Sequence, residues 1–145
     1  MSKITVLVAI FNAEKYLHKC LDSLVDQTLH DIQIVCINDC STDSSRSIVE
    51  SYASKDNRFV LINLDENQGQ AVARNKGLEV ADGEYITMLD SDDWFESDSL
   101  EKAYFAAKNS DADCALFRLV QYYEENGRVE EYRNRIDKIS FTGED

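Results

Sequence analysis

Proline and long apolar segments are missing from this sequence of 145 residues. About 5% of an average sequence is proline, so its absence excludes polyproline II linkers and proline-rich ligand segments. No apolar run approaches the roughly 20 residues that span a bilayer, and the first residues lack the apolar core and cleavage site of a signal peptide. These absences predict a cytoplasmic protein.

Basic residues are scarce. The 15 lysines and arginines stand against 28 aspartates and glutamates, which gives a formal net charge of −13. A surface of this sign repels a phosphate backbone, so we expect no nucleic-acid partner. A ligand that carries phosphate requires the negative charge to be offset where it binds, and a divalent cation held by carboxylates is one way to offset it. The length fits one domain with its own core.

Cysteines are few and show no metal-binding or disulfide spacing. There is no Cys-x-x-Cys pair and no histidine nearby at a spacing typical of zinc sites. This pattern favours buried, reduced thiols over a disulfide framework or a metal site. The four residues are Cys20, Cys36, Cys40 and Cys114.

Apolar runs alternate with amphipathic helical patterns along residues 1–118. Strands are predicted at residues 4–10, 32–37, 59–62, 84–89 and 114–117. Helices are predicted between them, the first capped by Asn12 and ending near Thr28, the last capped by Asp98. This order predicts an open, mainly parallel α/β sheet with flanking helices. Residues 119–145 are more polar and form a second region, in which Asn126-Gly127 predicts a hairpin between residues 120–123 and 129–132.

Polar residues collect where the predicted strands end, which is where open α/β sheets bind ligands. Most of them, such as Asn12, Ser41 and Asn67, also suit helix caps and turns. The segment Asp90-Ser91-Asp92-Asp93 is different, because three carboxylates in four residues repel one another unless a cation or a network of donors relieves them. Such a segment can supply Mg²⁺ or Mn²⁺ with oxygen ligands, and a solvated acidic turn is the alternative.

Eight short motifs follow one another along residues 3 to 118. They occupy residues 8–17, 20–24, 27–28, 38–43, 67–69, 73–77, 83–86 and 89–94, and include Asn38-Asp39-Cys40-Ser41-Thr42-Asp43 and Leu89-Asp90-Ser91-Asp92-Asp93-Trp94. In this order they resemble the N-terminal, nucleotide-binding part of family 2 glycosyltransferases, which have the Rossmann-like GT-A fold of nucleotide-diphospho-sugar transferases. The resemblance implies inverting transfer of a sugar from a nucleotide-sugar donor, usually UDP-linked, to an acceptor hydroxyl.

The resemblance also implies roles for particular residues. Asp39 is expected to accept a hydrogen bond from the uracil imide N–H, and Arg74 to lie near the base or the diphosphate. A surface arginine that pairs with a carboxylate is the alternative for Arg74. The implied nucleotide contacts are Ala9, Phe11, Asn12, Asp39, Arg74 and Asp90. The implied ligands of Mg²⁺ or Mn²⁺ are Asp92, Asp90 and Asp93.

Family membership would also imply the partners. These are a UDP-sugar donor and a saccharide or lipid-linked acceptor, used in surface polysaccharide biosynthesis, with the full-length protein peripheral at the inner face of the membrane. The sequence leaves a homo-oligomer open. Trp94 and Phe95 would pack either beside the donor sugar or, as aromatic pairs after a turn more often do, in the core.

Three features depart from the family pattern. Ala9 stands where the family commonly has proline, and Cys40 where it commonly has glycine, which predicts that the turn at Cys40 avoids positive φ. Inverting transfer also needs a general base, usually a carboxylate. In the family this base lies well downstream of the Asp-x-Asp segment, so we expect it beyond residue 145 and the chain to be an N-terminal fragment.

Two other functions are compatible with parts of this pattern. A metal-dependent nucleotide-sugar-binding module without transferase activity would need the same residues. A receiver-like signalling domain also has an acidic Mg²⁺ pocket, but it requires carboxylates after the first strand, where this chain has Phe11-Asn12.

Overall fold

A computed structural model describes residues 1–116 and 120–131 of the chain. Strands and helices alternate, as predicted, up to the last helix. The strands are β1 (Ile4–Ile10), β2 (Ile32–Asn38), β3 (Phe59–Asn63), β4 (Tyr85–Met88), β5 (Val120–Tyr123) and β6 (Arg128–Glu131). The helices are α1 (Glu14–Val25), α2 (Ser45–Ala53), α3 (Gln70–Leu78) and α4 (Ser99–Asn109).

Four parallel strands form the main sheet, in the order β3-β2-β1-β4. All seven residues of β1 are buried, because neighbouring strands flank it and both faces of the sheet are covered. This position explains why its sequence is nearly all apolar rather than alternating. The predicted open, mainly parallel α/β sheet is confirmed.

Side chains of β1 alternate between two apolar clusters, one on each face of the sheet. Val6 and Val8 belong to the larger cluster, together with Leu17 and Leu21 of the amphipathic helix α1. Leu7 and Ala9 belong to the smaller one, where Ala73 brings α3 onto the sheet. The sheet is therefore a rigid, close-packed support, and the segments that follow the carboxyl ends of its strands are held by it.

The predicted strand at residues 114–117 is wrong for the part that the structure describes. Residues 114–116 form no regular element, and Leu116 is 76% exposed, so no sheet partner or core buries this short apolar run. Phe117 lies outside the described residues. The hairpin is confirmed, because β5 and β6 pair antiparallel around Asn126-Gly127. Tyr132 and the rest of the predicted second region lie outside the described residues.

The cysteine prediction holds in part. All four thiols are free, and Cys20 and Cys36 are buried as expected. Cys40 is only partly buried and Cys114 is exposed, because the loops that carry them lie at the surface. Among residues 1–116 and 120–131, none of the helices combines the length and the apolar character required to cross a membrane.

Candidate functional site at the carboxyl ends of the strands

The loops that follow β1 and β2 are hydrogen-bonded to each other. Asn12 is not the helix cap that its residue type predicts, since Ala13 occupies that position and Asn12 adopts a left-handed φ of 49°. Asparagine tolerates this conformation better than most residues. Its side-chain Oδ1 accepts the backbone N–H of Thr42 at 2.8 Å, and its own N–H donates to Ser41 Oγ at 3.1 Å. The two strand ends thus form one connected surface.

Helix α1 is capped by the second loop rather than by its own N-cap residue. The backbone N–H of Ala13 donates to Ser45 Oγ at 2.9 Å, and that of Glu14 donates to Asp43 Oδ2 at 3.0 Å. In return, Glu14 Oε2 accepts the N–H of Ser44 at 2.9 Å. Although burial opposes it, hydrogen bonding by Ser45 and Glu14 keeps the pKa of Asp43 below its usual value. The carboxylate therefore stays ionised at the positive end of the α1 dipole.

Asp39 fixes the start of α3. Its side chain is buried, and its two oxygens accept the backbone N–H groups of Gln68 and Gly69, each at 2.8 Å. Gly69 has a φ of 85°, a conformation that suits glycine, and Gln70 then begins the helix. The predicted nucleotide-binding carboxylate thus also orients the helix that carries Arg74.

The prediction that Cys40 avoids positive φ is wrong. Cys40 has a φ of 57°, and its neighbours supply the stabilisation that a residue with a Cβ requires there. Its Sγ donates to the carbonyl oxygen of Asp65 at 3.5 Å, and Asn38 Oδ1 accepts the N–H of Ser41 at 3.2 Å. The turn keeps the backbone that glycine would adopt, and the thiol gains a partner.

Two side chains of α3 bind Asp90. Arg74 Nη2 lies 2.6 Å from Asp90 Oδ1, and Gln70 Nε2 donates to the same oxygen at 2.9 Å. Arg74 therefore pairs with a carboxylate, which is the alternative given for it, and that carboxylate is one of the predicted site residues. Gln70 was not predicted, although its position four residues before Arg74 places both on one helix face.

The carboxylates of Asp92 and Asp93 have no hydrogen-bond or ion-pair partner among the described residues, and both are exposed. A backbone bond from Asp93 N to Asp90 O, 3.0 Å long, closes the turn that presents them. Partial burial, followed by the charges of Asp92 and Asp90, raises the pKa of Asp93. Donors thus relieve the charge of Asp90, while the repulsion between the other two carboxylates remains.

A cleft of about 1380 Å³ opens beside this turn. Arg74 and the three aspartates line it, as do Trp94 and Tyr122. The Trp94 ring meets that of Tyr122 edge to face at 5.4 Å, and Lys19 Nζ lies 3.1 Å from the Trp94 centroid. Both Trp94 and Phe95 are partly buried and line the cleft, and Phe95 also packs against the core. The core expectation is correct for Phe95 alone.

The other predicted nucleotide contacts do not line this cleft. Ala9 is buried between the sheet and α3, and Asp39 lies beneath the Gln68-Gly69 turn. Phe11 is 50% exposed and Asn12 is exposed next to it. Arg74, Asp90, Asp92 and Asp93 are brought together directly, and Asp39 is linked to them through α3.

The donor chemistry of the turn fits a hard divalent cation. Across residues 1–116 and 120–131, no three His, Cys, Asp or Glu side chains converge as a ready-made metal cage. Mg²⁺ rarely uses such a cage, because it binds one or two carboxylates and completes its shell with water and phosphate oxygens. Exposed Asp92 and Asp93 oxygens without partners can serve in this way, so the residues present suit the ion.

Comparison with known proteins places the chain among sugar-transferring enzymes. The family described as glycosyl transferase family 2 matches residues 5–144. The putative glycosyltransferase EpsH of Bacillus subtilis is 42% identical over 87% of this chain and 36% of its own length. The poly(ribitol-phosphate) beta-glucosyltransferase of Bacillus spizizenii is 39% identical over 81% of this chain and 19% of its own length. The chain thus spans well under half of either relative.

Solved structures of similar fold include two nucleotide-sugar complexes. Residues 1–349 of Staphylococcus aureus TarS, in complex with UDP-GlcNAc, match with a TM-score of 0.67 and 35% identity over 75% of this chain and 31% of that one. The Pyrobaculum calidifontis mannosyltransferase PcManGT, in complex with GDP-Man and Mn²⁺, matches with a TM-score of 0.60 and 27% identity over 64% and 28%. The expected GT-A fold is confirmed.

Proposed function

The chain belongs to glycosyl transferase family 2, and on that premise we propose that it forms the donor-binding part of a glycosyltransferase of polysaccharide biosynthesis. The donor is a UDP-sugar, the transfer inverts the anomeric centre, and the acceptor is a saccharide or lipid-linked hydroxyl. Family membership excludes the receiver-like signalling domain.

The names of similar proteins support the donor and the pathway. TarS has been crystallised with UDP and with UDP-GlcNAc, and a relative from Bacillus spizizenii is named for glucosylation of poly(ribitol-phosphate). Another relative, TuaG of Bacillus subtilis, is named for teichuronic acid biosynthesis. A UDP-sugar complex and names that refer to poly(ribitol-phosphate) and teichuronic acid therefore occur among the proteins to which this chain is similar.

The main support for the proposal is that side chains of α3 contact Asp90, in the turn after β4. Arg74 supplies the cationic group of this junction, while Asp92 and Asp93 offer carboxylate oxygens to solvent in the same cleft. In the proposed complex, Arg74 and Gln70 orient Asp90 toward the nucleotide. Asp92 and Asp93 hold Mg²⁺ or Mn²⁺, which when bound neutralises charge that develops on the departing diphosphate.

Asp39 is the proposed reader of the uracil. Each of its oxygens accepts one backbone N–H and keeps a second lone pair, so it can still accept the imide N–H of the base. Cytosine lacks a donor at that position. The Asn12–Thr42 bond orders the loops on which the base would lie.

Calorimetric titration with UDP, with and without Mn²⁺, tests the proposal. We expect binding that depends on Mn²⁺, and the Asp92→Asn variant is expected to weaken it by about 10-fold or more, because an amide oxygen is a poorer ligand for a hard cation. Asp98→Asn is the matched control, since Asp98 also lines the cleft but pairs with Lys102 across one helical turn. UDP binding that survives both metal removal and Asp92→Asn would contradict the proposed cation site.

A donor-hydrolysis assay separates the transferase from a binding module. It is run on this chain and on a longer protein that continues to the length of its relatives. Turnover of UDP-sugar by the longer protein supports the transferase. Tight UDP binding without turnover in both proteins supports the non-catalytic nucleotide-sugar module instead.

A further inference from the structure

The segment that carries the carboxylates lies along α1 and is attached to it at several points. Cys20 Sγ donates to the carbonyl oxygen of Asp90 at 3.7 Å, and Ser23 Oγ accepts the N–H of Phe95 at 3.2 Å. The N–H of Thr28, just after the helix, donates to Ser97 O at 2.8 Å. Residues 90–97 therefore follow the helix rather than forming a free loop.

Gln27 makes the most extensive of these attachments. Its side chain is fully buried, and Nε2 donates to Ser23 O at 2.9 Å and to Glu96 O at 2.8 Å. Its Oε1 accepts the N–H of Leu100, in the first turn of α4, at 3.1 Å. Asp98, the N-cap residue of α4, makes no side-chain cap bond, so Gln27, in the segment just after α1, supplies a cap that α4 lacks.

These attachments matter because Asp92 and Asp93 have no side-chain partners among the described residues. No side-chain contact fixes their rotamers, so the path of the backbone sets the region that their oxygens can reach. That backbone is held at one end by β1, through Leu89 N to Leu7 O at 3.0 Å, and at the other end by Gln27. Loss of the Gln27 contacts removes the anchors at Glu96 and Leu100 and leaves the weaker hold of the bonds at Phe95 and Ser97.

We propose that Gln27 is a positioning residue of the cation and diphosphate site. It touches neither cation nor nucleotide. It acts by fixing residues 96–100 and thereby the separation of Asp92 and Asp93, so that the two carboxylates are arranged before the cation arrives. This inference rests on the proposed function, and it adds a buried amide just after α1 to the groups that set cation affinity.

The experiment measures Mn²⁺ affinity in the presence of UDP, by electron paramagnetic resonance of free Mn²⁺. Gln27→Met keeps the length of the side chain and removes its three hydrogen bonds. We expect Mn²⁺ to bind about 10-fold or more weakly to this variant at a temperature where circular dichroism shows it folded. Val49→Ala is the matched control, because Val49 is fully buried on α2, and none of the hydrogen bonds described above joins α2 to residues 90–100.

The control separates positioning from general destabilisation. Val49→Ala is expected to lower the unfolding temperature and to leave Mn²⁺ affinity within about 2-fold of wild type, since cavity formation acts on folding. Wild-type affinity in folded Gln27→Met overturns the inference. If Gln27→Met does not fold, Ser23→Ala tests the attachment of the same segment, because it removes the acceptor of the Phe95 N–H together with one bond to Cys20 O within α1. Weaker Mn²⁺ binding by that variant supports the inference, and unchanged binding overturns it.

Failure of the proposed function gives a different result. In that case wild-type protein itself shows no binding of Mn²⁺ with UDP, and this inference falls with the function. Binding by wild type with no effect of either variant overturns the positioning role alone.

Discussion

At the scale of single residues, Arg58 shows how a partly buried charge depends on one partner. Its side chain is 18% exposed, and its Nη1 is buried without a hydrogen-bond partner among the described residues. Asp56 compensates, since its Oδ2 lies 2.6 Å from Nη2 and both of its oxygens accept from Nε. Nη2 also donates to Val25 O at 3.2 Å, which ties the start of β3 to the end of α1.

Replacement of Asp56 by asparagine tests this dependence. We expect Asp56→Asn to lower the free energy of unfolding by about 1–3 kcal/mol near neutral pH, because it leaves the guanidinium without its counterion. Hydrogen bonding by Arg58 holds the pKa of Asp56 below its usual value. The stabilisation is therefore present above that value and is lost as pH falls below it, so the cost of the substitution shrinks in acid.

Urea denaturation of wild type and Asp56→Asn, from about pH 7 down to about pH 3, measures this difference. Glu50→Gln is the control, because it breaks the exposed Arg46–Glu50 pair and costs at most about 0.5 kcal/mol. An equal cost for Asp56→Asn at both ends of the pH range would argue against the ion pair as its cause.

Residues at the site differ in how far their structure could be predicted from the sequence. The resemblance to a family led to the expectation that Arg74 lies near the base or the diphosphate, whereas residue types alone predict only that a surface arginine pairs with some carboxylate. The conformations of Asn12 and Cys40 could not be predicted, since both depend on hydrogen bonds to loops about 25 to 30 positions away. Partners that are distant in sequence leave no local pattern.

At the scale of elements, Gly83 sets the approach of β4 to β1. A Cβ at this position would collide with the backbone nitrogen of Thr5 and would lie 2.7 Å from the carbonyl carbon of Ile4. The N–H of Gly83 also donates to Thr5 Oγ1 at 2.8 Å. Because the colliding atoms belong to the central strand, they cannot rotate away as a side chain can.

We therefore expect Gly83→Ala to destabilise the fold by about 1–3 kcal/mol or more, through displacement of β4. Gly77→Ala provides the comparison, because its Cβ would meet only side-chain ends, Ile37 Cδ1 at 2.8 Å and Leu7 Cδ2 at 3.0 Å. Alanine also favours the helix by about 1 kcal/mol over glycine, which offsets that contact. Thermal unfolding of both variants shows which substitution destabilises the fold more. A larger loss of stability for Gly77→Ala than for Gly83→Ala would contradict this account.

Elements differ in how far the sequence could predict them. The strand at residues 4–10 was identified with its observed bounds, because seven buried positions leave a long apolar run. The run at residues 114–117 is equally apolar, yet residues 114–116 form no strand, since a strand also needs a partner and an apolar run does not reveal one. The order β3-β2-β1-β4 likewise depends on pairings between distant segments.

At the scale of the whole molecule, the net charge of −13 opposes the binding of any free nucleoside diphosphate. Basic side chains that line the cleft offset this charge only in part, because Arg74 is already paired with Asp90 and Lys102 with Asp98. If the proposed function is correct, the cation reverses the local sign of the cleft, while the remaining acidic surface continues to repel the ligand. The two contributions respond to salt in opposite directions.

Salt dependence of UDP binding can therefore separate them. Raising KCl from about 0.01 M to about 0.15 M shortens the screening length from about 30 Å to about 8 Å. Without a divalent cation, we expect the weak affinity for UDP to rise over this range, because repulsion is screened. Mn²⁺ binding in the presence of UDP is expected to weaken, because the attraction between Mn²⁺ and the carboxylates is screened. Calorimetry at the two salt concentrations measures both changes in affinity. The Asp92→Asn variant is expected to reduce the salt dependence of Mn²⁺ binding. Metal-free affinity that falls with added KCl would mean that basic groups, not the acidic surface, dominate the field at the site.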